Sequence, residues 1–287
     1  MTVLKSIKLI KKGMIKIAKI ENDKYYTPID LANYCWDKVY EIIGEENISE
    51  IIEPSCGNGA FYNHAKYMPH LGYDIEPECN FYNVIKGNFL EQNIKYLRGR
   101  LVIGNPPFGR GNSLAMSFYK KSVQISDYIA FILPISQLNN NVQLYDFDLI
   151  YSEDLGEKEY SNIKLHCCFN IYKRPNNGEL NQKPSYKLND IQIIEYRRDG
   201  REINIPKGYD YAMGSFGAGC VGKPIKNIGQ YALECYFYIN NNELKQKILT
   251  ILKQTDWKEI SKGISGTYRL PQWKIYKYIK EQIPEIQ

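Results

Sequence analysis

The chain is poor in histidine and tryptophan, with three of each among 287 residues, and it has no C-x-x-C pair. The histidines, His64, His70 and His166, are scattered. A structural zinc site needs four closely spaced Cys or His ligands, so none is expected. The seven cysteines are odd in number and lack framework spacing, which implies reduced thiols in a cytoplasmic protein, not disulfides. No apolar run approaches the roughly 20 residues that cross a bilayer, so no membrane role is expected. Residues 1–20 are apolar but broken by Lys5, Lys8, Lys11, Lys12, Lys16 and Lys19. That pattern excludes a secretory signal and reads as a basic arm with solvated lysines. No internal repeat is visible, and no Pro-Asp pair precedes a Glu-x-Lys pattern as a nuclease would require.

With 44% hydrophobic residues the chain can build one large core, or a medium one and a small one. The net charge of +5 favours a polyanionic partner only mildly.

Information concentrates between residues 51 and 108. Two apolar, β-branched runs, 48–52 and 101–103, read as buried strands. Each ends in a distinctive loop: Glu53-Pro54-Ser55-Cys56-Gly57-Asn58-Gly59-Ala60-Phe61 after the first, Asn105-Pro106-Pro107-Phe108 after the second. In an open α/β sheet, ligands bind beyond the carboxyl ends of strands. Gly57 and Gly59 allow a sharp turn and close approach of a ligand. The loop lacks the third glycine of a dinucleotide fingerprint and the Gly-Lys-Ser/Thr of a phosphate loop, so a bound phosphate is not demanded. Glu53 can accept from an ammonium. Asp74, closing the strand candidate 71–75, can accept from two ribose hydroxyls.

Further elements follow from periodicity. Thr27 and Pro28 suit an N-cap and first position of a helix over 31–43, ended by Gly44. A short helix is expected over 59–67, a third strand over 80–85, a helix over 113–124, and strands over 128–133 and 164–172. Alternating strands and helices imply a mostly parallel sheet. Residues 174–190 are rich in Asn, Pro, Lys and Gly and read as a loop or linker. Beyond it, 191–196 and 231–239 read as strands, and 243–253 and 273–283 as helices. The expected organisation is an α/β domain over 1–173 and a small α+β lobe over 174–287.

Taken with Tyr25-Tyr26-Thr27-Pro28 upstream, the E-P-S-C-G-N-G-A-F and N-P-P-F runs resemble the adenine-N6 DNA methyltransferases, with cofactor motifs preceding the catalytic one. The resemblance covers roughly the first half of the chain. It implies a Rossmann-like class I methyltransferase sheet flanked by helices, with S-adenosylmethionine as cofactor. It implies cofactor contacts at Tyr26, Thr27, Glu53, Ser55, Cys56, Gly57, Gly59, Asp74, Ile75, Asn88, Phe89 and Asn105, with Glu53 on the amino-acid part and Ile75 against the adenine. The family usually has an aspartate where Asn88 stands; an amide oxygen can still accept.

It further implies catalysis by Asn105, Pro106, Pro107 and Phe108. Adenine N6 is a poor nucleophile, because its lone pair is delocalised into the ring. The Asn105 side-chain oxygen and the Pro106 carbonyl are suited to accept both amino hydrogens. Phe108 and Phe169 would stack on a base flipped out of the duplex. No metal is required.

The implied function is site-specific methylation of adenine N6 in double-stranded DNA. Both a restriction-modification enzyme with a separate endonuclease and an orphan methylase are compatible, as a monomer or a homodimer. Standing alone, N-P-P-F is also a rigid proline turn, and the same acceptors serve enzymes that methylate RNA bases or a protein glutamine amide. A catalytically dead nucleotide- or DNA-binding module is a further alternative. Target reading is assigned to the second lobe, where Arg197, Arg198, Arg201, Lys207, Lys223 and Lys226 interleave with tyrosines. Residues 217–222 match G-x-G-x-x-G as letters, but Lys223-Pro224 spoils the following helix, so they read as a flexible loop.

Overall fold

The computed structural model describes residues 25–62, 68–160, 163–198, 206–261 and 268–287. The basic arm over 1–20, His64, Arg201 and most of the helix expected over 59–67 lie outside them. The described part of that helix, 59–62, is a tight turn.

The first layer is a seven-stranded sheet. Its strands are β1 (Glu50–Glu53), β2 (His70–Asp74), β3 (Val84–Lys86), β4 (Arg100–Gly104), β5 (Tyr128–Pro134), β6 (Asp148–Tyr160) and β7 (Ile163–Lys173). They lie in the order β3-β2-β1-β4-β5-β7-β6. Parallel pairing joins β3 through β5, and β7 alone runs against its neighbours. That order, with a single reversed strand inserted before the edge, is the α/β sheet that the resemblance led us to expect. Helices α1 (Ile29–Ile43) and α2 (Ser113–Ile125) pack on it. β4 and β5 are buried almost throughout because both faces are covered, which is why they read as unbroken apolar runs.

Helix α1 begins differently from expectation. Pro28, not Thr27, is the N-cap, and its carbonyl accepts from Ala32 N at 3.0 Å. The Thr27 side chain is engaged elsewhere. Gly44 ends the helix with φ +82°, a conformation glycine tolerates. Trp36 is fully buried and donates from Nε1 to the Phe61 carbonyl at 2.9 Å, tying α1 to the chain after β1.

β6 has no counterpart in the sequence reading. It is an edge strand, largely exposed and rich in charge, with register shifts near Leu149 and Asp154. Such a strand carries little apolar periodicity. β3 is shorter than the expected 80–85 strand.

A second apolar cluster spans Ile191 to Ile286. It is built on a three-stranded antiparallel sheet of β8 (Ile191–Arg197), β9 (Tyr211–Gly214) and β10 (Leu233–Ile239), in the order β8-β10-β9. Helices α3 (Lys245–Gln254), α4 (Trp257–Ile260) and α5 (Gln272–Gln282) complete it. β9 and α4 were too short to register as periodic runs. The glycine-rich run 217–222 is not a free loop. Gly217 N donates to the Tyr268 carbonyl at 2.9 Å and Gly222 N to the Gly214 carbonyl at 2.9 Å. A Cβ on Gly222 would come within 2.9 Å of Trp257 Cβ. Among the described residues, no helix is long and apolar enough to cross a membrane.

Candidate active site

Strand pairing brings the two sequence motifs together. Ile51 lies opposite Leu101 and Ile52 opposite Val102, so the chain leaves β1 and β4 at neighbouring points on one edge. Ser55 Oγ donates to the Asn105 carbonyl at 3.2 Å. On the other side of β1, β2 ends in Asp74. The Asp74 carboxylate accepts from Gly57 N at 2.8 Å and from Glu76 N at 2.8 Å, and Cys56 N donates to the Tyr73 carbonyl at 3.0 Å. The glycine loop is therefore strapped to the end of β2. Gly57 and Gly59 have φ of +47° and +80°. A Cβ at Gly59 would stand 2.4 Å from the Phe81 ring, so that position has no room for a side chain.

A cleft of about 440 Å³ opens at this edge. Its walls come from Tyr25 and Tyr26, from Pro54, Ser55 and Gly57, and from Asp74, Ile75 and Glu76. Gly87 to Leu90 and Asn105 to Pro107 close it, with Leu114 and Phe118 of α2. Six separate stretches of sequence thus share one depression. Polar groups cluster around the loop and Asn105; Ile75, Phe89, Leu90 and Phe118 supply apolar wall. Ile75 is 50% exposed, an apolar side chain left uncovered. Phe89 is buried, its ring 5.6 Å from that of Phe118.

Glu53 ends β1 just before the cleft-lining Pro54; it does not itself line the cleft and is only 1% exposed. The backbone N–H groups of Phe61 and Tyr62 hydrogen-bond its carboxylate, yet Oε2 has no partner. Burial pushes the carboxyl well above the usual range, and the charge of Asp74 adds to the shift; the two N–H groups oppose it. Cys56 is buried behind the loop, its thiol 4.0 Å from that of Cys79, and does not line the cleft. Tyr26 donates its hydroxyl hydrogen to Glu78, and its ring packs near Gly57.

Asn88 lines the cleft, but its amide is used locally. Oδ1 accepts from Leu90 N at 3.1 Å, capping the turn Phe89–Glu91, and Nδ2 donates to Glu91 at 2.7 Å. The oxygen keeps one further lone pair.

Asn105 is held by its nitrogen. Nδ2 donates to Thr27 Oγ1 at 3.1 Å and to the Tyr25 carbonyl at 3.2 Å. Thr27 is 6% exposed and is not part of the cleft wall.

Two expected stacking residues fall elsewhere. Phe108 is 7% exposed and sits in the core, with Tyr25 stacked on it at 6.1 Å between ring centroids. The aromatic surface at that end of the cleft belongs to Tyr25. Phe169 is fully buried in β7, opposite Ile132 of β5 and Glu153 of β6. Its ring is core and cannot stack on a bound base here. Leu114 and Phe118 were legible only as one face of a helix. Their place in the cleft follows from the chain turning directly from Phe108 into α2, where Leu114 N donates to the Phe108 carbonyl at 3.2 Å.

No family model matches the chain, and no curated protein matches it in sequence. Among solved structures, it is similar to a candidate RNA methyltransferase of Pyrococcus horikoshii: 17% identity, 57% of this chain and 93% of that one, TM-score 0.44. It is similar to a candidate class I S-adenosylmethionine-dependent methyltransferase of Listeria monocytogenes: 11% identity, 55% of this chain and 64% of that one, TM-score 0.44. A third is the 23S rRNA methyltransferase ErmE: 11% identity, 53% of this chain and 70% of that one, TM-score 0.38. Strand order and register define the fold of the chain.

Proposed function

We propose that this chain is an S-adenosylmethionine-dependent methyltransferase acting on the N6 amino group of adenine in double-stranded DNA. The observation that carries the reading is the convergence of six separated stretches on one cleft that also contains an asparagine amide anchored through its nitrogen. The site fits the donor. Glu53, next to the cleft-lining Pro54, has a buried, unpartnered Oε2 that suits an ammonium, Asp74 has lone pairs left for hydroxyls, and the half-exposed Ile75 offers apolar surface to a purine. When bound, S-adenosylmethionine supplies an electrophilic methyl group.

The protein's part is to accept and orient. Asn105 Oδ1 accepts a hydrogen bond from one N–H of the target amino group, and the Pro106 carbonyl accepts one from the other. Prolines fix φ, so that carbonyl is held in place. Two acceptors draw the nitrogen toward tetrahedral geometry and free its lone pair for in-line attack. Orientation of this kind can supply about 7–11 kcal/mol of barrier lowering. Tyr25 offers a face to an extruded base, for which stacking contributes about 1–3 kcal/mol.

The choice of DNA rests on the Tyr25 to Pro28 motif and on the second lobe, where Arg197, Arg198, Lys207, Lys223 and Lys226 are exposed beside tyrosines. We assign target recognition to that lobe. RNA bases and amide side chains present a similar planar nitrogen. Duplex DNA, ribosomal RNA and release factor incubated in parallel with labelled S-adenosylmethionine separate these cases. Label in N6-methyladenine from duplex DNA is expected; label confined to RNA or protein overturns the choice of DNA.

A further inference from the structure

We infer that Thr27 and the Tyr25 carbonyl form a clamp that sets which end of the Asn105 amide faces the substrate, making Thr27 a positioning residue. The inference rests on the amino-group reading above. An asparagine amide has an acceptor end and a donor end of nearly equal shape, so packing alone does not choose between them. Hydrogen bonds must. The Tyr25 carbonyl is an acceptor only, and it lies 3.2 Å from Nδ2. A flipped amide would set two oxygens against each other there.

Thr27 Oγ1 takes the second hydrogen at 3.1 Å. With both hydrogens held on the side of residues 25–27, Oδ1 is the end left to accept from an amino group. A flipped amide would present N–H to N–H and fail.

This gives the upstream motif a task different from direct cofactor contact. Thr27 is buried away from the cleft wall, while its neighbours Tyr25 and Tyr26 line it. Pro28 caps α1 without help from the threonine, so the hydroxyl is not spent on the helix. The bond spans 78 residues of sequence.

The test compares Thr27→Val, which keeps shape and removes the hydroxyl, with Thr27→Ser, which restores it. Readouts are kcat, KM for duplex DNA, binding of S-adenosylhomocysteine, and solvent exchange of the Asn105 side-chain NH2 by ¹⁵N-asparagine NMR, assigned with Asn105→Ala. The expected result for Thr27→Val is a fall in kcat of about 10- to 100-fold, the scale of a small misplacement. Both affinities should stay within about twofold, and amide exchange should quicken. Thr27→Ser should recover most of the rate and the slow exchange. Unchanged kcat, or unchanged amide exchange, overturns the clamp. So does a loss confined to S-adenosylhomocysteine affinity, which would return Thr27 to cofactor binding. The exchange measurement uses the ligand-free protein, so it stands even where wild-type protein methylates no adenine, the result that would sink the functional reading instead.

Discussion

Ser55 and Asn105 are joined by a hydrogen bond from Ser55 Oγ to the Asn105 carbonyl, 3.2 Å long. One residue follows β1 and the other follows β4, and parallel pairing makes them neighbours. The bond locks the loop proposed to hold the methyl donor to the loop proposed to hold the acceptor. Ser55→Ala leaves both motifs present but uncoupled. A net loss of about 1 kcal/mol is expected for one such bond. Steady-state kinetics should show a several-fold drop in kcat/KM with little change in thermal stability.

Asn105→Ala removes the oxygen that would accept an amino hydrogen. Loss of one preorganised polar group in an active site typically lowers kcat about 10²- to 10³-fold. Binding of S-adenosylhomocysteine should persist, since Glu53 and Asp74 are untouched. Retained full activity in this variant would remove the amide from the chemistry, and no activity in either protein would favour a fold that serves a binding role only.

Glu53 offers a pH signature. Its carboxyl is held above the usual range by burial, with Asp74 adding to the shift. The folded chain therefore binds this proton more tightly than the unfolded chain. Its contribution to stability is most favourable at acidic pH and declines as pH rises from the unfolded value toward the raised folded one. An ammonium placed on Oε2 reverses the shift and expels the proton, so donor affinity should climb with pH across that same window. Glu53→Gln should flatten both trends and weaken donor binding about 10- to 100-fold, the scale of a charge-assisted bond. Calorimetric titration and melting curves between acidic and neutral pH check both trends.

Gly59→Ala forces a side chain into a left-handed conformation and toward the Phe81 ring. The backbone term alone is about 1–2 kcal/mol. Weaker donor binding is expected, with a smaller loss in melting temperature, because the damage is local to the loop. By contrast, Trp36→Ala hollows the core beneath α1 and should cost about 3–5 kcal/mol of global stability, measured by denaturant unfolding.

Much of the sheet was legible because its central strands are buried on both faces. Leu101 to Ile103 and Tyr128 to Leu133 are apolar for that reason, and the loops after β1 and β4 carry unusual residues at strand ends. β6 was not legible, since an exposed edge strand bearing Asp148, Glu153, Asp154 and Glu157 has no reason to look like a core strand. Within the site, the sequence placed Glu53, Asp74 and Asn105 near one edge but could not orient them. That Thr27 bonds Asn105 and does not cap α1 depends on a contact across 78 residues. Phe108 and Phe169 show the limit from the other side: an aromatic near a motif can be core, and only packing decides which.

The most direct measurement is nucleoside mass spectrometry of DNA from a host expressing the wild-type chain, beside a host expressing Asn105→Ala. N6-methyladenine at a defined sequence in the first and its near absence in the second is the expected result. Unmodified adenine in both, or methyl groups found only on another base, would contradict an Asn105 amide that receives the amino group of an extruded adenine.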